Sequence, residues 1–409
     1  MTKGATLVKG KAPTKTDYRK MPPEMIHLHE LKAEDVRAYA LKVLKQHLRI
    51  EANGYCCKTD MIYDVLMKAS AECSSLEAVC ADLEDVADSN TLREYVNLAL
   101  PGAELSAQEE QANLALAECI PERMARRQGI EIAIDYHDEP FYGKQETTRA
   151  VTCSGQAKKG TTHFVRIATA YVIWRQVRLT LAVHYVLPKE EALEVLKILL
   201  QRLKKLGFSA KVLYLDKGFA ATPIVNYLTT EAKQPAIIAN PIRGKTGGTR
   251  ALCCGRSSYT TPYTFTNGTS ATIAMKASLV PDKTKKLRRK WLSFLVVLLD
   301  WSPDKIYQEY RRRFGVECSY RLLRRVRATT TSRNPALRFF LLSLGLILTN
   351  VWVLLRWEFA RLLAMGPRRI DEKLFRLHRF SKLLIRSIEK LYGTISAIPT
   401  HQSPQSVIY

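Results

Sequence analysis

No Cys-x-x-Cys pair occurs anywhere in the 409 residues, and the nine cysteines are odd in number. The vicinal pairs Cys56-Cys57 and Cys253-Cys254 do not have zinc-ribbon spacing, and a disulfide framework would pair an even set, so reduced thiols are expected. The segment Met1 to Lys20 alternates lysine with small polar residues and has no apolar stretch, which argues against a secretory signal. Residues 1–20 are expected to form a disordered basic arm. Long apolar runs are equally scarce. One segment, Leu337 to Trp357, has membrane-spanning length, but Ser343, Gly345, Thr349 and Asn350 interrupt it and no second span accompanies it. A buried helix and no membrane association are expected.

Acids are also few outside one stretch. The chain has 63 Lys and Arg against 39 Asp and Glu, a net charge of +24 with a pI near 9.7. Residues 51–119 alone carry a net of −11, which leaves +35 on the remainder. Such a surplus is the footprint of a nucleic-acid partner, because phosphate neutralisation dominates those affinities.

The length implies two or three domains. Between residues 30 and 120, apolar residues such as Val36, Tyr39, Val43 and Leu44 recur at helical spacing, broken at Asn53-Gly54 and Pro101-Gly102. This predicts a helical N-terminal domain over 21–128. Its acidity assigns DNA contact to the first fifty residues.

At Gly129 the period changes to two: Ile130, Ile132 and Ile134 share one face while Glu131, Ala133 and Asp135 share the other. Asp135 is thereby read as the C-terminal end of a strand, with Asp138 and Glu139 as neighbouring alternatives. Strands over 164–172 and 177–186 form a predicted hairpin, followed by a helix from Pro188 to Gly207. Lys211 to Asp216 reads as a central parallel strand ending in an acid, which can also cap the turn Asp216-Lys217-Gly218. A short helix and a strand at 236–239 complete the order of a ribonuclease H-like sheet. The expected core thus spans 129–240, with a β-rich insertion over 241–301, a further core helix, bearing Glu317, over 302–335, and an apolar helix with a basic helical region over 336–409.

Ser302 and Pro303 are a helix start, with Asp304 in the first turn. Tyr310, Glu317 and Arg324 lie seven apart on one stripe, with Arg313 and Arg321 four residues either side of Glu317. Gly315 within that helix costs about 1 kcal/mol relative to Ala, which implies close backbone approach by a neighbour. His137, His163 and the pair His27 and His29 read as structural, and Trp291 and Trp301 as packing residues.

Tyr310, Arg313, Glu317 and Arg324 match the Tyr-x2-Arg-x3-Glu-x6-Lys pattern of the insertion-sequence-four group of DDE transposases, with Arg for Lys at the last position. The chain resembles that family over roughly 129–350. The resemblance implies a ribonuclease H-like α/β fold, a mixed sheet with helices on both faces. It implies two Mg²⁺ ions (or Mn²⁺) held by Asp135, Asp216 and Glu317, and DNA contacts from Tyr310, Arg313, Arg321 and Arg324. It further implies binding of terminal inverted repeats and target DNA, a homodimer in a synaptic complex, and a cytoplasmic, nucleoid-associated location in a prokaryote. The rival readings are a metal-dependent nuclease without strand transfer and an inactive DNA-binding remnant.

Overall fold

A computed structural model describes residues 30–100, 105–125, 129–174, 177–281, 287–362 and 369–398. The basic arm, His27 and His29 lie outside the described residues. The N-terminal region is helical: α1 (Ala33–His47), α2 (Thr59–Glu72), α3 (Leu76–Asp82), α4 (Ser89–Ala99), α5 (Leu105–Glu118) and α6 (Glu122–Ala125). Side-chain caps set several starts. Ser75 accepts from Ala78 N at 3.2 Å and Asp88 from Asn90 N at 2.8 Å, satisfying amides that a helix leaves unpaired.

Next come β1 (Ile130–Phe141), the short α7 (Glu146–Arg149), β2 (Cys153–Lys158), β3 (Thr161–Ile173), β4 (Thr180–Val186), α8 (Ala192–Lys205), β5 (Ala210–Leu215), α9 (Thr222–Asn226) and β6 (Ala236–Asn240). The strands β7 (Tyr259–Thr264), β8 (Ser270–Pro281) and β9 (Leu287–Val297) occupy the predicted insertion. They do not stand apart from the core. β9 pairs antiparallel with β6 from Ala236↔Val297 to Asn240↔Ser293, and β8 and β7 follow, so the insertion widens the central sheet. The resulting order is β2-β3-β1-β5-β6-β9-β8-β7, with β4 also on β3.

The remaining elements are α10 (Pro303–Arg311), α11 (Phe314–Leu323), α12 (Pro335–Phe359), the bridge-like β10 (Arg361–Leu362) and β11 (Arg369–Ile370), and α13 (Leu377–Tyr392). α13 is amphipathic and buries Leu377, Phe380, Leu384 and Ile388 against α1 and α2, three hundred residues earlier in the chain. Ion pairs reinforce this packing. The fully buried Lys68 meets Glu72 at 2.5 Å, Asp82 at 2.9 Å and Glu389 at 3.0 Å, while Asp64 accepts from Arg37 and from the Tyr392 hydroxyl. The two terminal helical regions therefore form one bundle in space.

α12 is long and apolar enough to cross a membrane, yet its most apolar window is entirely buried within the fold. Two of the polar residues that interrupt its run are hydrogen-bonded in the core: Thr349 Oγ1 donates to the Gly345 carbonyl at 2.8 Å, and Asn350 reaches the sheet. Asn350 exchanges two hydrogen bonds with Thr180 at 3.0 and 2.7 Å, and Asn113 of α5 does the same with Val183. Together they satisfy backbone groups of β4, which would otherwise be an open sheet edge.

Gly345 is where close approach occurs. A Cβ there would lie 2.7 Å from Leu323 Cδ1 and 2.8 Å from the Val326 carbonyl, whereas one at Gly315 would meet the Arg178 guanidinium at an ordinary 3.6 Å. The tight contact that the sequence pattern assigns to Gly315 belongs to Gly345. Gly345→Ala should destabilise the protein by about 1–3 kcal/mol through overpacking, and Gly315→Ala should stabilise it by up to about 1 kcal/mol. Urea unfolding of both variants measures the contrast.

A buried polar cluster fastens α5 and α8 to β4. His184 sits between Glu109 and Glu190, with Nδ1 3.0 Å from Glu109 Oε1 and Nε2 2.7 Å from Glu190 Oε1, and Arg202 also engages Glu109. Burial pushes the imidazole pKa down, but the two carboxylates outweigh it and the net direction is up. The contribution of His184 to stability is thus fully present below about pH 6.5, the ordinary histidine value, and is lost as pH rises through its higher folded value. His184→Gln should flatten the decline in urea stability above pH 6.5.

Candidate active site

β1 and β5 run parallel with Ile134 opposite Leu215, so Asp135 and Asp216 occupy the next position on neighbouring strands. β5 stops there because the chain turns into a short 3₁₀ segment from Lys217 to Phe219. β1 does not stop. It continues to Phe141, paired with β3 from Asp135↔Thr169 to Phe141↔His163, so Asp135 lies mid-strand and marks the end of the parallel pairing only.

Both carboxylates converge on one guanidinium. Arg313 Nη1 donates to Asp135 Oδ2 at 3.0 Å, and its Nη2 is 3.4 Å from Asp216 Oδ1. The second Asp135 oxygen accepts from Tyr136 N at 2.9 Å. Arg313 is only 8% exposed, so it faces the sheet, whereas the sequence pattern reads it as a phosphate contact. Burial raises the Asp135 carboxyl, Arg313 lowers it and Asp216 raises it again, leaving it pushed up to about 6.

Two tyrosines pin the overlying helices at this point. Tyr310 of α10 donates to the Leu215 carbonyl at 3.1 Å, beside Asp216. Tyr320 of α11 donates to the Asp135 carbonyl at 3.2 Å, contacts Thr169 Oγ1 at 2.6 Å and stacks on His137. Burial pushes both phenols well above their ordinary range, so each hydroxyl keeps its proton. Tyr310 is thus tied into the core and is not presented to a phosphate. Tyr320 is absent from the sequence-derived site, although its position three residues after Glu317 puts it on the same helical face.

The predicted single helix begins as expected, with Ser302 Oγ accepting from Lys305 N at 3.3 Å. It tightens at Arg312 and Arg313, where Arg312 N bonds Glu309 O, Arg313 N bonds Tyr310 O and Gly315 N bonds Arg312 O. Such i to i−3 bonding eclipses residues three apart, which stacks Arg313 on Tyr310 at 5.4 Å and ends the uniform 100° stripe. Glu317 lies on α11; its side chain is outside the described residues. Arg321 and Arg324 are exposed at the far end of that helix.

The neighbouring basic and acidic residues divide by partner. Arg312 pairs with Glu131 at 2.6 Å and Glu309 at 2.9 Å, so the run 311–313 is not one solvated face. Asp138 is held by Arg166 at 2.7 Å. Glu139 meets Arg327 at 2.5 Å, and although burial opposes ionisation, His137 and Arg327 bring it down to about 2. Asp138 and Glu139 therefore have cations of their own, away from Asp135. His163 is partly buried on β3, Trp291 packs edge-on against Tyr259, and Trp301 is covered by Lys305.

The donor set fits a divalent cation. Two hard oxygen ligands from neighbouring strands converge on one guanidinium, and two carboxylates against one cation leave the pair a net negative charge that a divalent ion would offset. Another triple of acids, Glu72, Asp82 and Glu389, also comes together, but Lys68 already sits among them.

No protein-family model matches the chain, and comparison with curated proteins gives no match. Among solved structures, the fold is similar to that of a piggyBac transposase determined by cryo-EM as a synaptic complex with hairpin DNA. The TM-score is 0.53 at 12% identity, over 94% of this chain and 83% of that one. The likeness is one of fold, a large mixed sheet with helices, and it extends over nearly the entire chain.

Proposed function

We propose that this protein is a DDE-type DNA transposase, which cleaves the ends of a mobile element and joins them to target DNA. The convergence of Asp135 and Asp216 on one cation at adjacent strand positions carries this reading. Three further features support it: the strand order β4-β3-β1-β5-β6, which we read as ribonuclease H-like, the likeness in fold to a transposase, and the spacing of Tyr310, Arg313, Glu317 and Arg324. The +24 charge supplies the attraction to DNA.

Asp135, Asp216 and Glu317 are the residues to hold Mg²⁺ or Mn²⁺. When bound, such ions activate water or a 3′-hydroxyl and stabilise charge on the phosphoryl oxygens. Arg313 keeps the two aspartates at a fixed separation and balances part of their charge. Tyr310 and Tyr320 fix α10 and α11 to the strand positions that bear them, which maintains the geometry that in-line attack demands. Arg321 and Arg324, exposed beyond Glu317, contact the phosphates flanking the scissile bond.

The test uses the inverted repeats that flank the gene. A plasmid bearing both repeats, incubated with protein and Mg²⁺, should be cut at the outer tips of the repeats. Cuts at random positions, or none with either Mg²⁺ or Mn²⁺, would refute the assignment.

A further inference from the structure

Beyond Arg324 the surface opens into two adjoining cavities, which share Arg325, Leu377 and His378 and form one groove with walls from two helices and the segment before α13. The end of α11 supplies Arg324 and Arg325, the segment after β11 supplies Lys373 and Arg376, and the first turns of α13 supply Lys382. All five side chains are exposed, and among the described residues none makes an ion pair. Elsewhere the cations near acids are paired, as Arg166, Arg312 and Arg327 are. Two acids also line the groove, Glu72, which Lys68 holds, and the exposed Glu372, so the five cations leave it a positive surplus that a polyanion lying between the walls would neutralise.

The groove is built, not a loose surface. Trp352 Nε1 donates to the Phe375 carbonyl at 3.0 Å, Asp371 N donates to the Ala360 carbonyl at 2.7 Å, and Asp371 Oδ1 accepts from Lys373 N at 2.9 Å. These bonds fix the wall that carries Lys373 and Arg376 against α12. α13 starts at Arg376 with no side-chain cap and no acid in its first turn, so its positive end also faces the groove. Glu317 and Arg324 are seven residues apart along α11, which at 1.5 Å per residue puts the groove mouth about 10 Å from the proposed catalytic acid.

We infer that this groove is a track for the phosphate backbone of duplex DNA leaving the active site, with Arg325, Lys373, Arg376 and Lys382 as its contacts. The inference rests on the transposase reading for its partner and adds a surface that the Tyr-Arg-Glu pattern does not contain. Helical surfaces of the N-terminal region offer the competing occupant, because residues 51–119 of a second copy carry a net of −11. Duplex DNA is favoured by the position of the groove, at the end of the helix that bears Glu317.

The experiment compares wild type with the triple variant Lys373→Ala/Arg376→Ala/Lys382→Ala, using a fluorescein-labelled duplex of about 30 base pairs across a salt series. Each lost phosphate contact removes about 0.9 from the slope of log K against log salt, so the slope should become shallower by about 2–3 and affinity at low salt should fall at least about tenfold. The melting temperature should stay within a few degrees of wild type, since all three side chains are exposed. A wild-type slope and affinity in the folded variant would overturn the groove assignment while leaving the transposase reading intact. Unchanged DNA binding with a loss of dimer in sedimentation would overturn it in favour of a second copy. Salt-insensitive or absent duplex binding by wild type would overturn the transposase reading itself.

Discussion

Asp135→Asn, Asp216→Asn and Glu317→Gln should each lower end cleavage by about a thousandfold or more, while binding to the ends stays within a few fold. The amide keeps the shape of the carboxylate but loses the charge that a metal ion requires, and most phosphate contacts lie on other residues. Asp135→Asn carries a second expectation that a bystander acid would not. Its carboxyl stands at about 6 in the folded protein against an ordinary 3.8, so the folded state binds that proton more tightly than the unfolded chain does. In chelator, stability should therefore fall as pH rises from about 4 to 6, and the penalty persists above that range. Asp135→Asn should remove this decline and raise the melting temperature at neutral pH. Gain of stability with loss of cleavage is the pattern of a charge kept for function. Full cleavage by any one of the three variants would remove that residue from the site.

Arg313→Ala is expected to have the largest effect on the fold. It leaves the buried Asp135 without its cation and beside the like charge of Asp216, and breaking such a pair costs about 3–5 kcal/mol. Arg313→Lys should recover only part of this, because one ammonium cannot span both carboxylates as the planar guanidinium does. Cleavage should fall by about a hundredfold or more in Arg313→Ala with DNA affinity nearly unchanged, since the side chain faces the sheet. Urea titration in chelator and single-turnover rates measure the two effects. A large loss of affinity with normal stability would return Arg313 to the phosphate-binding role that the sequence pattern assigns it.

Much of the site is legible in the local sequence because its parts obey short-range rules. The alternation of Ile130, Ile132 and Ile134 marks β1, the apolar middle of 211–216 marks β5, and Ser302-Pro303 marks the start of α10. The far half of β1 escapes such reading. Its Tyr136, His137, Asp138 and Glu139 show no apolar alternation, since they are satisfied by Arg166, Arg327 and Tyr320 from distant segments. Long-range pairings are likewise invisible: neither the seating of α13 on α1 and α2 nor the joining of β9 to β6 leaves a periodic trace. The inward turn of Arg313 accompanies three i to i−3 hydrogen bonds, a change of under one residue per turn that composition does not encode.

Joining separates transposition from simple hydrolysis, and it is measured with a pre-cleaved element end bearing a free 3′-hydroxyl, a supercoiled target plasmid and Mg²⁺. Wild-type protein should produce target DNA covalently linked to the end, and Asp216→Asn should produce none. Plasmid that is nicked or cut by wild type without ever acquiring the labelled end would contradict the assignment as a transposase.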